Sequence, residues 1–447
     1  MSRFSPSRPS PSRSASARRM FTRPTPTRTL ALAASLAGIT LLAGCSAAAT
    51  PDASASTTPV ADVTIVSGQS AQNGDLLRGI FDRYNASAST AKVTLNLTAD
   101  SDVDTAQKAL VDIAAGHGPD AVRVTNATYQ TLIDAGVAQP ADACLAAESG
   151  LNKDLISGIT VNKHVYQVPW YVTPNALFYN AKLFTQAGLD PNTPPTTLAE
   201  FHAAAKAIAA TGAAGGTAYF GNDFNFQSYL ASLGSQVYAP ASKKLTVNTP
   251  AAASVFDTFA AMAKDGSSPV YTNFFADANE AFASGKLGMI VTSASGYPAL
   301  KANGNADIRI APVPAADGGK AVATTSTNGF VITTKDPSRQ KAVCTALRSL
   351  LTPEAVTETV TKTATIPLLT STITDPKQLA PVYAANPGWA AVRDQKTVPW
   401  ISLPGTANAE YSKLYTDTQL KVLRGDQDGK AAAKDLQTQT EQILAAR

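Results

Sequence analysis

The sequence predicts an α/β fold with a mainly parallel sheet, divided between two lobes or domains. Three observations support this. Short apolar strands alternate with amphipathic helices through most of the chain, the pattern of βαβ units. The 447 residues exceed one simple core at roughly 100–200 residues per domain. Hydrophobic residues make up 44% and charged residues 16%, a balance that excludes a disordered or membrane-embedded chain.

The formal net charge of +4 invites a nucleic-acid partner, but its distribution excludes one. Residues 1–44 hold seven arginines and no acid, so the remaining 403 residues carry 30 basic against 33 acidic groups, a net −3. After Arg28, the 16 residues Thr29–Gly44 are uncharged and largely apolar. That is short of the roughly 20 needed to span a bilayer as a helix. Basic, apolar and then small residues predict a secretory signal over 1–44, with Met20 as an alternative start. The run ends Leu42-Ala43-Gly44-Cys45, which resembles a bacterial lipobox, and the resemblance implies cleavage before Cys45 and its lipidation. Residues 45–61 then form a lipidated cysteine and a flexible Ser/Ala/Thr-rich tether. Cys144 and Cys344 are left in an oxidising compartment, as a disulfide or as two buried thiols.

The folded body opens at Asp62–Ser67 with a strand pattern. Leu76, Leu77, Ile80, Phe81 and Tyr84 follow at helical spacing, predicting a helix over about 75–85. Val93–Leu97 reads as a second strand, Asp104–Ala115 as an amphipathic helix and Ala121–Val124 as a third strand. In such sheets ligands sit beyond the carboxyl ends of strands. This nominates Ser67-Gly68, Thr98–Asp100 and Thr125-Asn126, although turn chemistry alone explains polar residues there. Later, Thr197 with Glu200 forms a capping-box pattern ahead of a helix from Leu198 to about Ala210. Lys286–Thr292, Ile308–Pro312 and Gly329–Thr333 read as strands, Ser338–Leu351 as a helix, and Asn408–Arg447 as two more. There is no internal repeat.

Several short segments stand in a telling order and spacing. They are Gly118-Pro119-Asp120-Ala121-Val122, Gly136-Val137-Ala138-Gln139-Pro140, Tyr166-Gln167-Val168-Pro169, and Ala176–Asn180 with Lys182-Leu183-Phe184. Ala187-Gly188-Leu189-Asp190-Pro191, Pro194-Pro195-Thr196-Thr197, Ala281–Met289 and Leu351-Thr352-Pro353-Glu354-Ala355 follow. From about Asp62 to the C-terminus this set resembles the extracellular solute-binding proteins of ABC importers, in the family that binds sugars and sugar-phosphate-like ligands. The resemblance implies a type II periplasmic-binding-protein-like fold, each lobe a mainly parallel sheet flanked by helices. Three hinge crossings are implied near Tyr171–Pro174, Val313–Ala316 and Ala364–Pro367. The lobes are then 62–172 plus 315–365 and 173–314 plus 366–447, with Cys144 and Cys344 both in the first. It implies a monomeric receptor without cofactor or metal. Such a receptor closes on a carbohydrate, is read by an ABC permease, and touches the membrane only through its lipid.

A carbohydrate site needs aromatic faces for sugar C–H surfaces and convergent groups for hydroxyls. Trp170, in VPWYVTPN, and Trp400, in VPWISLPG, sit in Pro-flanked segments that match cleft loops of the family; core packing is the competing reading. Trp389 reads as core. Asn222 and Phe224 fall in an aromatic and amide-rich run that a strand end also explains. Thr292–Tyr297 follows a strand, so Ser293, Ser295 and Tyr297 are candidates beside Thr173, although helix capping explains the serines equally. Asn328 and Gly329 match the family's cleft edge, and Asp100 and Asp102 are candidate hydroxyl acceptors. Some relatives bind glycerol phosphate and its diesters. A phosphate grip wants a converging arginine, and the segment around Trp400 holds no basic residue before Lys413, which favours a neutral sugar.

A secreted hydrolase is the competing class. His117, His164 and His202 sit in no catalytic pattern, and no H-E-x-x-H, G-x-S-x-G or P-loop occurs. Ser338-Arg339-Gln340-Lys341 matches S-x-x-K by letter, but it stands at a helix start without its companion motifs. No enzymatic activity is expected.

Overall fold

The computed structural model describes residues 62–446, apart from 69, 89, 90, 147, 149, 219–222, 241, 273, 302–306 and 406. The signal segment, Cys45, the tether and Asn222 lie outside the described residues.

Among the described residues nine strands form one mixed sheet: β1 (Val63–Ser67), β2 (Val93–Leu97), β3 (Ala121–Val124), β4 (Val168–Asn180), β5 (Gly215–Ala218), β6 (Leu287–Ser293), β7 (Ile308–Ala311), β8 (Ala323–Ile332) and β9 (Thr397–Pro399). Their order is β2-β1-β3-β8-β4-β6-β5, with β7 paired to β4 and β9 to β8. β1 runs parallel to β2 and β3, β6 to β5, and β8 to β9. The long strands β4 and β8 are antiparallel to each other, β8 also to β3, and β4 also to β6 and β7. Helices Ser70–Ser87 and Asp102–Ala114 link the first three strands, the crossovers that parallel pairing requires.

The sequence reading missed β4. Its two prolines make Val168–Asn180 look like a loop, because Pro removes a ladder donor. All thirteen residues are nevertheless buried, and the sheet absorbs Pro169 with a register shift opposite Asn328 and Gly329. Gly329 is needed at that point, since a Cβ there would run into the Val168 carbonyl and the Pro169 backbone. β8 begins at Ala323, earlier than Gly329, because its first residues are Thr, Ser and Asn rather than apolar. Three of their hydroxyls donate to carbonyls: Thr324 Oγ1 to Phe224 O at 2.6 Å, Thr325 Oγ1 to Val398 O at 3.3 Å and Thr327 Oγ1 to Leu155 O at 3.3 Å.

Alternate residues of β4 feed two cores. Ala176 and Phe178 pack with Ile290 and the helices Ser70–Ser87, Pro337–Arg348 and Pro353–Thr363. Leu177 and Tyr179 pack with Met289 and Val291 under the helices Leu198–Ala209, Pro250–Lys264, Ala407–Arg424 and Gly429–Ala445. Each such buried aliphatic or aromatic side chain contributes roughly 1.5–3 kcal/mol.

Local signals set the helix ends. Thr197 Oγ1 accepts from Glu200 N at 3.2 Å, as the capping-box pattern predicts. The return bond goes one residue further back, with Glu200 Oε2 accepting from Thr196 N at 2.7 Å and from Thr196 Oγ1 at 2.8 Å. Those bonds hold the Glu200 carboxyl below its usual range. At the end of helix Phe274–Ala283, Gly285 takes φ 73° while Lys286 N donates to Ala281 O, a Schellman closure that delivers the chain into β6.

Three placements concern the expected crossings. β4 pairs with β8 through Pro174 and with β6 and β7 from Asn175 onward. Val313–Ala316 stays tied to the middle of the chain: Ala315 bonds to Thr196 and Leu198, and Ala316 N donates to Ser232 Oγ at 3.0 Å. After Ala364, Ile366 N donates to Val172 O and Leu369 bridges to Leu151.

Cys144, on helix Asp142–Leu145, and Cys344, on helix Pro337–Arg348, are joined by a disulfide across 200 residues, with Cα atoms 5.1 Å apart. Closing so long a loop in the unfolded chain is worth about 5 kcal/mol in the chain-entropy account. Cys144→Ser with Cys344→Ser is therefore expected to lower unfolding stability by up to that amount in urea titration. An unchanged midpoint would show that the bond constrains nothing.

Candidate ligand-binding cleft

A cavity of about 920 Å³ opens between two parts of the chain, a volume within the usual range for small-molecule sites. One wall comes from the loop after β3 and helix Tyr129–Asp134, together with residues 158–162. Helix Asp223–Ser232 with Ser235, Gln236, Tyr238, Pro240 and Lys243 forms the facing wall, and the stretch 398–404, from β9 onward, forms the floor. A pocket of about 230 Å³ adjoins it, sharing Asn126, Gly158 and Pro399. The walls belong to segments that the sequence reading assigns to different lobes.

The lining has a definite chemistry. Tyr129, Tyr238 and Trp400 supply aromatic surface, while Asn126, Gln130 and Gln227 supply amides. Among the described lining residues Lys243 is the single charged side chain, and none is acidic. The pair of carboxylates that hydrolyses glycosides is therefore missing from the described walls. Among the described residues there is also no group of three or more His, Cys, Asp or Glu placed to hold a metal ion.

Trp400 is held from three sides. Its backbone N donates to Thr325 O at 2.8 Å, its ring leans on Phe224 at 5.2 Å between centroids, and its indole Nε1 donates to Asp223 Oδ1 at 3.2 Å. Asp223 is buried at the start of its helix, and Gln227 Nε2 donates to its other oxygen at 2.7 Å. Burial pushes the Asp223 carboxyl up to about 6, against the pull of the Gln227 and Trp400 donors. The folded-state value is raised, so the neutral form contributes stability that is complete below pH 3.8 and lost as pH rises through 6. Ionised Asp223 thus opposes folding by about 3 kcal/mol.

The other nominated residues divide. Asn126 lines the cavity and locks the floor to the sheet: its Oδ1 accepts from Thr327 N at 2.8 Å and its Nδ2 donates to Trp400 O at 3.4 Å. Phe224 lies behind Trp400. Trp170 does not reach the cavity. It is 1% exposed within β4, donates to Thr359 Oγ1 at 3.2 Å, and packs on Tyr171 and Phe330. Its Pro-flanked segment is a buried strand, so core packing explains it. Thr173, Ser293 and Ser295 bond to one another, with Thr173 Oγ1 2.7 Å from Ser293 Oγ and accepting from Ser295 N at 3.0 Å. Tyr297 stacks on Phe178, meets Trp389 edge-on and lines a separate outer groove of about 600 Å³. Ser67 is buried at the end of β1, Asp100 is exposed, and Gly329 serves the β4–β8 contact; none of the three lines the cavity.

Asp102 and Asn328 belong to a buried network the sequence reading missed. Arg123 on β3 is 2% exposed, and its Nη1 donates to Asp102 Oδ1 at 2.6 Å. Its Nη2 donates to Tyr171 OH at 3.0 Å and to Asn328 Oδ1 at 2.8 Å. A lone arginine in an otherwise apolar four-residue strand was the available signal. Removing one partner of such a pair costs about 3–5 kcal/mol, which makes the network structural cement rather than ligand surface.

Comparison with known proteins decides the class. A family model for the bacterial extracellular solute-binding protein matches residues 79–391. The chain belongs to that family. The structure of a cyclic alpha-maltosyl-1,6-maltose binding protein from Arthrobacter globiformis superposes on this solute-binding protein with a TM-score of 0.73. That match covers 87% of this chain and all of the other, at 22% identity. UgpB from Mycobacterium tuberculosis, solved with glycerophosphocholine, gives 0.75 over 86% of this chain and 98% of its own, at 20% identity. These likenesses show a shared two-lobe fold. An sn-glycerol-3-phosphate-binding periplasmic protein UgpB of Brucella abortus is 32% identical over 136 residues. That stretch is 29% of this solute-binding protein and 31% of the relative.

Proposed function

We propose that this solute-binding protein captures a neutral carbohydrate in the 920 Å³ cleft and delivers it to the permease of an ABC importer. The observation that carries the reading is the cleft lining: aromatic faces beside amides, one lysine, and no acid among the described residues. A phosphate ester wants a planar arginine grip. Arg123, the one arginine among the described buried residues, has both Nη groups engaged by Asp102, Tyr171 and Asn328. The names of the structural relatives, with maltose-type ligands among them, support the same reading.

The cleft walls move together on binding, so solute shifts an open–closed equilibrium toward closed. In this reading the hinge crossings lie at Pro174-Asn175, where β4 changes partners, at Ala323–Thr325, and between Leu369 and β9. The second and third thus fall later than the sequence alone suggests. The segment 1–44 exports the chain, Cys45 carries lipid, and the tether keeps the receptor near its permease, raising effective concentration. Catalysis forms no part of the proposal.

A thermal-denaturation panel of the protein lacking residues 1–45 tests this. Neutral mono- and oligosaccharides, polyols, sn-glycerol-3-phosphate and glycerophosphocholine form the panel. One saccharide class is expected to stabilise the fold, by about 2.7 kcal/mol at 100 times its Kd. Stabilisation by the phosphate compounds alone would replace carbohydrate with a phosphodiester or glycerol phosphate as the solute.

A further inference from the structure

Asp223 is the acid in the aromatic and amide-rich run of Asn222 and Phe224, not itself a nominated site residue and without direct access to the cleft, yet it touches the ring on which the cleft depends. Its geometry leaves little freedom. Trp400 Nε1 is a donor only. Gln227 is clamped to the backbone of Ile401, its Nε2 donating to Ile401 O at 2.9 Å and its Oε1 accepting from Ile401 N at 3.0 Å. Rotating the Gln227 amide by half a turn would set donor against donor and acceptor against acceptor at Ile401. Its Nε2 must therefore face Asp223, and both side-chain partners of the carboxyl are obligate donors. Two donors suit a carboxylate. A protonated acid has one O–H to place and finds no acceptor on either partner.

Burial and geometry thus pull in opposite directions. The side chain is 2% exposed, and the influences on it are burial, Gln227, Trp400 and its own backbone, none of them cationic. The three histidines stand elsewhere: His117 near Asp112, His164 against Asp142 and His202 against Asp265. Lys243 is the charged group on the described cavity wall. The residue keeps a costly ionised form only because the two donors demand it.

We propose that Asp223 is a positioning residue that, as a carboxylate, fixes the Trp400 indole in its ligand-facing orientation and releases it on protonation. The protein then loses solute affinity in mildly acid surroundings without unfolding. The proposal rests on Trp400 being a ligand-facing ring, but its test needs no solute.

Tryptophan emission of the ligand-free protein, titrated from pH 7.5 to 4.5, provides that test in the wild type, Asp223→Asn and Trp400→Phe. The wild type is expected to show a one-proton transition centred near pH 6. Both variants are expected to lack it, and Asp223→Asn at pH 7.5 is expected to match the acid spectrum of the wild type. A wild-type emission that is flat across this range overturns the proposal. So does a transition that persists in Asp223→Asn, or one that persists in Trp400→Phe, because the proton would then act elsewhere than on this ring. The saccharide panel can fail while this transition is present, so the two readings fall separately.

Discussion

Trp400→Ala is expected to weaken saccharide binding by at least about 30-fold while the ligand-free protein stays folded. An aromatic anchor at the centre of a desolvated site is worth 2 kcal/mol or more on truncation, and about 1.4 kcal/mol is a tenfold change in Kd. The residue qualifies because its ring lines the cavity floor, half-buried, and rests on Phe224 rather than being enclosed by it. Its removal leaves the backbone bonds of Thr325 and Ile401 in place. The local cost is one aromatic contact of about 0.5–1.5 kcal/mol and one donor to Asp223. Calorimetric titration beside a urea melt measures both quantities. Unfolding of the variant, or binding unchanged within threefold, would contradict the assignment.

The expected result for Trp170→Ala is the reverse. This tryptophan is enclosed by Tyr171 and Phe330 and bonded to Thr359, so truncation leaves a large cavity in the sheet's interior. Burial at this depth predicts a loss of about 3–5 kcal/mol of unfolding stability. The same change should alter Kd of the folded fraction by less than threefold, since nothing in the cavity lining is touched. A large affinity loss with unchanged stability would return Trp170 to the ligand site. The pair of variants therefore separates two tryptophans whose sequence contexts, VPW in both, are nearly the same.

That contrast shows how far the sequence could be read. Strands β1 to β3 were legible because their alternation stands between helices of clear periodicity. β4 was hidden by Pro169 and Pro174, whose usual meaning is a break, and only the opposing backbone near Gly329 shows how the sheet admits one of them. The same prolines made Trp170 resemble a cleft residue, whereas Trp400 follows a three-residue strand and does stand in a loop. Asn126 was legible as a polar residue just past a strand end, where parallel sheets place ligands. Ser67 obeyed the same rule and turned inward, because the rule names a loop and not a side-chain direction.

Asp223 and Gln227 were illegible for a different reason. An acid at the first turn of a helix is ordinary capping chemistry, and nothing local marks it as a partner for a residue 177 positions away. The Asp102–Arg123 pair likewise depends on a helix start and a strand brought together by the fold. Family resemblance carried the two-lobe fold class; it could not say which polar residues had been spent on structure.

The central claim is a neutral carbohydrate receptor, and direct calorimetric titration of the protein lacking residues 1–45 tests it without any variant. Maltotriose and a matched set of neutral oligosaccharides are compared with sn-glycerol-3-phosphate at one pH and ionic strength. Saturable one-site heat with a neutral saccharide, and none with the phosphate, is the predicted result. One-site binding of sn-glycerol-3-phosphate with no heat from any neutral saccharide would contradict it.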